Sequence, residues 1–157
     1  MSHKEHKYEV KVEWAGNRGS GTSHYRAYGR EHVIQAGAKP PIPGSSDPAF
    51  LGDASRWNPE DLLVASLSAC HQLWYLHLCC EAGVEAIAYC DHAEGVMIED
   101  RETGGRFTKV ILRPQVTITK SSDVAAAQRL HHDAHAKCYI ANSVNFPVSC
   151  EAEIFVA

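Results

Sequence analysis

The pattern of apolar and polar positions predicts one long helix near the middle of the chain, Pro59–Ala82. Asn58 is a suitable N-cap, and Glu60 and Asp61 follow in the first turn, where the helix dipole favours negative charge. The sequence is then apolar on almost every face until Gly83, a typical stop signal. Such a helix is expected to be buried, and it would span roughly 36 Å. We therefore expect a partner chain to help to cover it.

The remaining pattern predicts short strands and a second helix. Residues 8–14 alternate between apolar and polar side chains, as in a half-buried strand. Val124–Lys137 follows a Ser-Ser-Asp cap and carries a thin apolar stripe, which predicts a helix. Residues 39–53 are rich in proline and predict a loop, and Pro114 indicates an edge strand or a bulge. Further strand candidates are residues 22–28, 31–36, 84–89, 93–100, 107–119 and 148–156.

This order of elements predicts an α+β fold, with mostly antiparallel sheets around the long cysteine-bearing helix and the second helix. The 157 residues suit a single domain over residues 1–157. The net charge is −4 and no basic stripe is present, so neither nucleic acid nor an anionic membrane is expected as a partner.

The sequence also predicts the compartment. The polar first residues indicate no signal peptide, and the polar residues within the long apolar stretch argue against a transmembrane span. We therefore expect a cytoplasmic protein. There, the six cysteines are free thiols, metal ligands or redox groups rather than a disulfide framework.

Two cysteines occupy unusual places in this pattern. Cys70 lies inside the long helix with His71 beside it, and Cys138 ends the second helix in a polar tract. A free cysteine on a buried helix is usually a small hydrophobe, and the residues alone leave that interpretation open. The other four cysteines we interpret as structural: Cys79, Cys80, Cys90 and Cys150.

Two segments of the chain resemble the two cysteine motifs of the OsmC/Ohr family. The first consists of residues 58–63 with residues 68–71, and the second of residues 134–144. The glycine-rich turn at residues 18–22 resembles the arginine-bearing turn of that family. The proline-rich loop at residues 39–53 is similar to the OsmC-like branch rather than to the Ohr branch. The resemblance covers nearly the whole chain, in the order that the family has.

The resemblance implies an intertwined α+β homodimer that reduces organic hydroperoxides, with a dithiol reductant and without a cofactor or a metal. It also implies that Cys70 is the peroxidatic cysteine and Cys138 the resolving one. Arg18 and Glu60 would be the charged pair that activates the thiol. Only the likeness of the glycine-rich turn favours Arg18 over Arg26 and Arg30 in this role.

These roles agree with the chemistry. A guanidinium close to a thiol favours the thiolate, which is the species that attacks a peroxide. A carboxylate can hold the guanidinium in place through paired hydrogen bonds. The apolar neighbours of Cys70 favour an organic hydroperoxide over hydrogen peroxide: Leu67, Leu73 and Trp74.

The spacing between Glu60 and Cys70 sets a geometric problem. Ten residues of unbroken helix separate them by about 15 Å, too far for one arginine to meet both. Either the helix breaks near Ser66 or Ser68, or two chains assemble the site together. We expect the second arrangement, alone or together with a break.

Two alternative functions follow from the same residues. His131, His135 and Cys138 are spaced four and three apart along one helix face, with His132 nearby, which is a credible ligand spacing for zinc. Against it, the tract lacks a second ligand pair at a comparable spacing, and Cys70 with His71 could supply one only through the fold. A solvated face is the ordinary role of His131 and His132. The other alternative is a member of the same fold that binds a small apolar ligand without catalysis.

Overall fold

The computed structural model describes residues 3–157. These residues form two compact units, one that ends at Leu62 and one that begins at Leu63. The expectation of a single domain stays a prediction. In chain order the elements are β1 (Lys11–Trp14), β2 (His32–Gln35), β3 (Ile42–Gly44), α1 (Pro59–Ala82), β4 (Ala86–Asp91), β5 (Glu94–Ile98), β6 (Arg106–Leu112), β7 (Pro114–Ile118), α2 (Val124–Lys137), β8 (Val148–Cys150) and β9 (Glu153–Val156), with short 3-10 helices at Pro48–Phe50 and Ala141–Ser143.

The first unit contains one antiparallel sheet in the order β1-β2-β3. Strand β1 is shorter than predicted, and its four residues are exposed rather than half-buried. Residues 22–28 form turns, not a strand. The physical reason is that the Arg30 guanidinium donates hydrogen bonds to the carbonyls of Tyr25 and Tyr28. These carbonyls are then not available for hydrogen bonds to a neighbouring strand. The predicted loop at residues 39–53 contains a short strand, β3, which pairs with β2.

Helix α1 has the predicted bounds and runs without interruption. The Asn58 side chain accepts a hydrogen bond of 2.8 Å from the Asp61 backbone N–H, and Gly83 ends the helix with a φ of 72°. A single chain buries one stripe of the helix rather than all of it, and Leu73 on another face is 67% exposed. The buried stripe consists of Leu67, His71, Tyr75, Leu78 and Cys79.

By length and composition alone, α1 is long and apolar enough to cross a membrane, although its polar residues predicted no span. The core helix of a soluble protein meets the same criteria. Because its buried stripe packs into the apolar core of the second unit, we interpret α1 as a core helix.

The second unit contains two three-stranded sheets, in the orders β4-β7-β9 and β5-β6-β8. Each central strand has an antiparallel neighbour on one side and a parallel neighbour on the other. The three strands of one sheet continue, after short breaks, into the three strands of the other. Pro114 begins β7, a central strand, so the alternative of an edge strand is wrong. The alternative of a bulge is wrong as well, because Pro114 pairs with Asp91 and the register shift lies between Ala86 and Ala88. As the first residue of its strand, the proline disturbs the ladder least.

Asp91 anchors α1 to the break between the sheets. One of its carboxylate oxygens accepts a hydrogen bond of 2.6 Å from the Arg113 backbone N–H. The other accepts a hydrogen bond of 2.6 Å from the hydroxyl of Ser68 on α1. A half-buried carboxylate with two such donors fixes the helix at this level of the sheets.

Tyr75 joins the two helices. Its hydroxyl donates a hydrogen bond of 2.9 Å to the carbonyl of Ala127 on α2, and the side chain is fully buried. The Tyr75 ring also stacks on the His131 ring, with 3.8 Å between their centroids. Helix α2 has its predicted bounds, and the Asp123 side chain caps it by accepting from two backbone N–H groups.

We expect Tyr75→Phe to lower the free energy of unfolding by about 1 kcal/mol, because a buried hydrogen bond is lost while the ring remains. Urea unfolding followed by circular dichroism measures the change. Tyr8→Phe is the matched control, because the Tyr8 side chain is 89% exposed. Equal stability of the Tyr75→Phe variant and the native chain would contradict the prediction.

Candidate functional site

The structure brings Cys70 and Cys138 together, although they are 68 positions apart in the sequence. Cys70 lies on α1 and is partly exposed, whereas Cys138 follows α2 and is buried. Both cysteines are free thiols. They are close enough for the Cys70 thiol to influence the ionisation of Cys138. A partly accessible thiol beside a buried one is the arrangement that disulfide exchange between two cysteines requires.

The end of α2 positions Cys138. Its backbone N–H donates to the His135 carbonyl, and its sulfur accepts a hydrogen bond of 3.4 Å from the Ala141 backbone N–H. Burial raises the pKa of Cys138 to about 11, with a further contribution from the neighbouring Cys70 thiol. At neutral pH the buried thiol is therefore almost entirely protonated.

Aromatic contacts join the two helices next to the thiols. Trp74 on α1 makes an edge contact with Tyr139, with 5.5 Å between ring centroids, and the Lys137 ammonium lies over the Trp74 ring. Leu73 and Trp74 line a shallow surface cavity together with His77, whereas Leu67 is fully buried in the core. Of the three apolar neighbours expected around a substrate, Leu67 therefore has a packing role.

Arg18 and Glu60 both belong to the first unit. The glycine-rich turn that carries Arg18 is organised by Asn17, whose side-chain oxygen accepts from the backbone N–H groups of Gly19 and Gly21. Among the described residues of a single chain, the carboxylate within ion-pair distance of Arg18 is that of Glu31, at 3.8 Å. The pairing of Arg18 with Glu60 stays a prediction.

The competing arginine at position 30 has a structural role. Its guanidinium donates to two backbone carbonyls and lies over two aromatic rings, those of Tyr25 and Tyr28, at 4.5 and 4.0 Å from their centroids. Arg18 is instead 62% exposed at the side chain. The guanidinium of Arg18 thus has one long ion pair, and the choice of Arg18 over Arg26 and Arg30 as the activating arginine stays a prediction.

The zinc ligands suggested by helix spacing do not come together. Cys138 lies beside Cys70, and His135 is exposed. His131 is only 4% exposed, so a solvated role for this residue is wrong, whereas His132 is exposed as expected. Helical periodicity placed His131 and His135 on one face but did not show that His131 faces α1.

His131 lies in a buried cluster with His71 and Cys150, a grouping that the spacing along α2 did not predict. The facing nitrogens, His71 Nε2 and His131 Nδ1, lie 3.0 Å apart, and the sulfur of Cys150 on β8 lies 3.8 Å from His71 Nε2. Burial lowers the pKa of His71 to about 4 and that of His131 to about 3. Both rings are therefore neutral at neutral pH. The sequence singled out two members of this cluster: His71 by its adjacency to Cys70, and His131 by its spacing from His135 and Cys138.

Comparison with known proteins identifies the family. A family model described as OsmC-like protein matches residues 52–153, about two thirds of the chain and both cysteines. The chain belongs to the OsmC family. The predicted resemblance to this family and the predicted α+β fold are confirmed. Among curated protein sequences, none matches this OsmC chain.

Solved structures share the OsmC fold over nearly the whole chain. An OsmC-like protein of unknown function from Vibrio cholerae is 28% identical, with a TM-score of 0.86, and the match covers 95% of this chain and 100% of that one. The organic hydroperoxide resistance protein OsmC from Legionella pneumophila is 15% identical, with a TM-score of 0.70 and coverages of 98% and 99%. OhrB of Bacillus subtilis, an organic hydroperoxide resistance protein, is 21% identical, with a TM-score of 0.61 and coverages of 95% and 98%. At the identities of these last two, the likeness shows the fold alone.

Because its pKa is raised, we expect Cys138 to react with iodoacetamide about a hundredfold more slowly at pH 7 than a cysteine of ordinary pKa, since only the thiolate reacts. Its rate should rise about tenfold per pH unit up to pH 9. Peptide mass spectrometry after timed labelling measures both. Exposed Cys80 is the internal reference, and labelling of the two at equal rates at pH 7 would contradict the prediction.

Proposed function

We propose that this OsmC chain is a thiol-dependent peroxidase that reduces organic hydroperoxides. The observation that supports the proposal most is the pairing of partly exposed Cys70 with buried Cys138. Among its structural neighbours are proteins named for organic hydroperoxide resistance. The chain also belongs to the family in which these cysteine motifs occur. As in our reading of the sequence, we propose that it works in the cytoplasm.

The chemistry needs only the two thiols and an external dithiol. The Cys70 thiolate attacks one peroxide oxygen, the O–O bond breaks, and the products are an alcohol and a Cys70 sulfenic acid. The Cys138 sulfur then attacks the Cys70 sulfur, which forms a disulfide and releases water. A dithiol reductant restores both thiols and leaves as its own disulfide. The sum is one hydroperoxide and one dithiol consumed, with one alcohol, one water and one disulfide formed.

We propose that Arg18 and Glu60 activate the Cys70 thiol of the partner subunit in a homodimer. Because α1 is continuous, the alternative of a helix break near Ser66 or Ser68 is wrong. Ten residues of helix then separate Glu60 from Cys70, about 15 Å along the axis. An arginine held by Glu60 would need a second chain to reach a Cys70 thiol.

Exposed apolar side chains support the homodimer. Leu73 on α1 is 67% exposed and Tyr139 after α2 is 69% exposed. In the first unit the apolar alternation of residues 8–14 is exposed as well, with Tyr8 at 89%. A monomer of this size seldom exposes so many large apolar side chains, so an interface between copies explains them.

We expect Cys70→Ser to abolish the dithiol-dependent consumption of cumene hydroperoxide, because a hydroxyl cannot form the sulfenic acid. Cys138→Ser should consume about one equivalent per chain and then stop, since no internal thiol resolves the oxidised Cys70. Stopped-flow turnover and intact-mass analysis separate these results. Exposed Cys80 gives the control, Cys80→Ser, which should turn over like the native chain.

A mixing experiment tests the shared site. Cys70→Ser and Arg18→Ala should each be inactive alone, but co-refolded at equal amounts they should recover about a quarter of native activity. Half of the dimers are then mixed, and one of the two sites in each is complete. If each chain forms its own site, the mixture should stay inactive. Sedimentation velocity at micromolar concentration checks that dimers form, and a monomer would refute the shared site.

A further inference from the structure

The His71, His131 and Cys150 side chains form a buried cluster that the proposed peroxidase chemistry does not use. They come from α1, α2 and β8 respectively, and all three belong to the second unit. One donor atom from each lies within 4.8 Å of the other two. In residues 3–157, no other group of three histidine, cysteine or carboxylate side chains with such spacing was found.

The donor spacing fits a metal ion. With Zn–N bonds of about 2.0–2.1 Å and Zn–S bonds of about 2.3 Å at tetrahedral angles, two nitrogens lie about 3.3 Å apart and a nitrogen and a sulfur about 3.6 Å apart. The corresponding distances here are 3.0 Å between the histidine nitrogens and 3.8 Å from His71 Nε2 to the Cys150 sulfur. The third distance, between the His131 donor and the Cys150 sulfur, is within 4.8 Å. The two facing nitrogens point at each other, with 5.3 Å between the ring centroids, so both rings must turn for their lone pairs to converge on a zinc ion.

The histidine pair is incompletely satisfied by the protein. His71 is 1% exposed and His131 is 4% exposed, and a neutral pair can share only one hydrogen bond between the facing nitrogens. The outer nitrogens, His71 Nδ1 and His131 Nε2, have no hydrogen-bond partner among the described residues. Buried polar atoms without partners are uncommon, so the packing of this histidine pair is not explained by hydrogen bonding within the fold.

An entry path and a favourable charge accompany the cluster. A cleft of about 290 Å³ is lined by His131 and Cys150 and has exposed His132 at its rim. The carboxylate of Asp91 acts electrostatically on both His71 and Cys150, so a negative charge lies near the donors. A cation can therefore enter from the cleft and is attracted to the cluster.

We propose that His71, His131 and Cys150 bind a transition-metal ion of the zinc class, with the fourth position open to the cleft. Two imidazoles and one thiolate suit Zn²⁺, Co²⁺ or copper and do not suit Mg²⁺ or Ca²⁺, which take oxygen ligands. Binding replaces the thiol proton of Cys150 with the metal and releases that proton to solvent. The bound ion cross-links the two helices and β8, independently of the Cys70–Cys138 pair.

The test titrates reduced full-length protein, carrying Cys70→Ser and Cys138→Ser, with Zn²⁺ by equilibrium dialysis and with Co²⁺ by visible absorption. These two substitutions remove the thiol pair as a competing ligand set. We expect one ion per chain, a Co²⁺–thiolate charge-transfer band, and a melting temperature that rises with Zn²⁺ concentration. Mg²⁺ should give none of these changes.

Matched variants locate the site. His131→Asn and Cys150→Ser should each weaken Zn²⁺ binding on the order of tenfold or more, and Cys150→Ser should also remove the charge-transfer band. His132→Asn, its exposed neighbour, should bind like the parent, and so should Cys90→Ser, since the exposed Cys90 and His92 are the alternative surface ligands. Cys150→Ser replaces one sulfur by oxygen, so it keeps the test valid if His131→Asn does not fold. Absence of Zn²⁺ uptake, or uptake that Cys150→Ser leaves unchanged, would overturn the proposal.

Discussion

The register between α1 and α2 is the constraint on which the rest of the second unit depends. Tyr75 fixes this register through two contacts: its hydrogen bond to the Ala127 carbonyl and the stacking of its ring on the His131 ring. A slip of one residue between the helices would move side chains by about 1.5 Å along the axis and by about 100° around it. Neither the contact between Cys70 and Cys138 nor the histidine cluster would survive such a slip.

Local signals were sufficient for the helices and insufficient for much of the sheet structure. Asn58 and Gly83 carry cap and stop information within a few residues, so the bounds of α1 could be read directly. Residues 22–28 resembled a strand because their turn depends on contacts made by the Arg30 side chain. Pro114 was misplaced because strand order is a long-range property.

Within the candidate site, the sequence predicted only the part that lies in the two cysteine motifs. The likeness of both cysteine motifs to one family implied that Cys70 meets Cys138, and neither helical periodicity nor composition could have done so. Helical periodicity led to a wrong prediction of a solvated His131. It shows which residues share a helix face but not which element packs against that face. Cys150 had no motif and lay in an ordinary alternating strand, so its place beside His71 emerges only from the fold.

The break between the two sheets divides the apolar interior into two layers. One layer contains Tyr75 and Ala134, and the other contains Leu67 with Ile140 packed against it. In sequence, Cys70 falls between Leu67 and Tyr75, and Cys138 falls between Ala134 and Ile140. The thiols thus occupy the seam between the layers. A disulfide between Cys70 and Cys138, as in the proposed reaction, would link the two layers covalently across this boundary, and its reduction would remove the link.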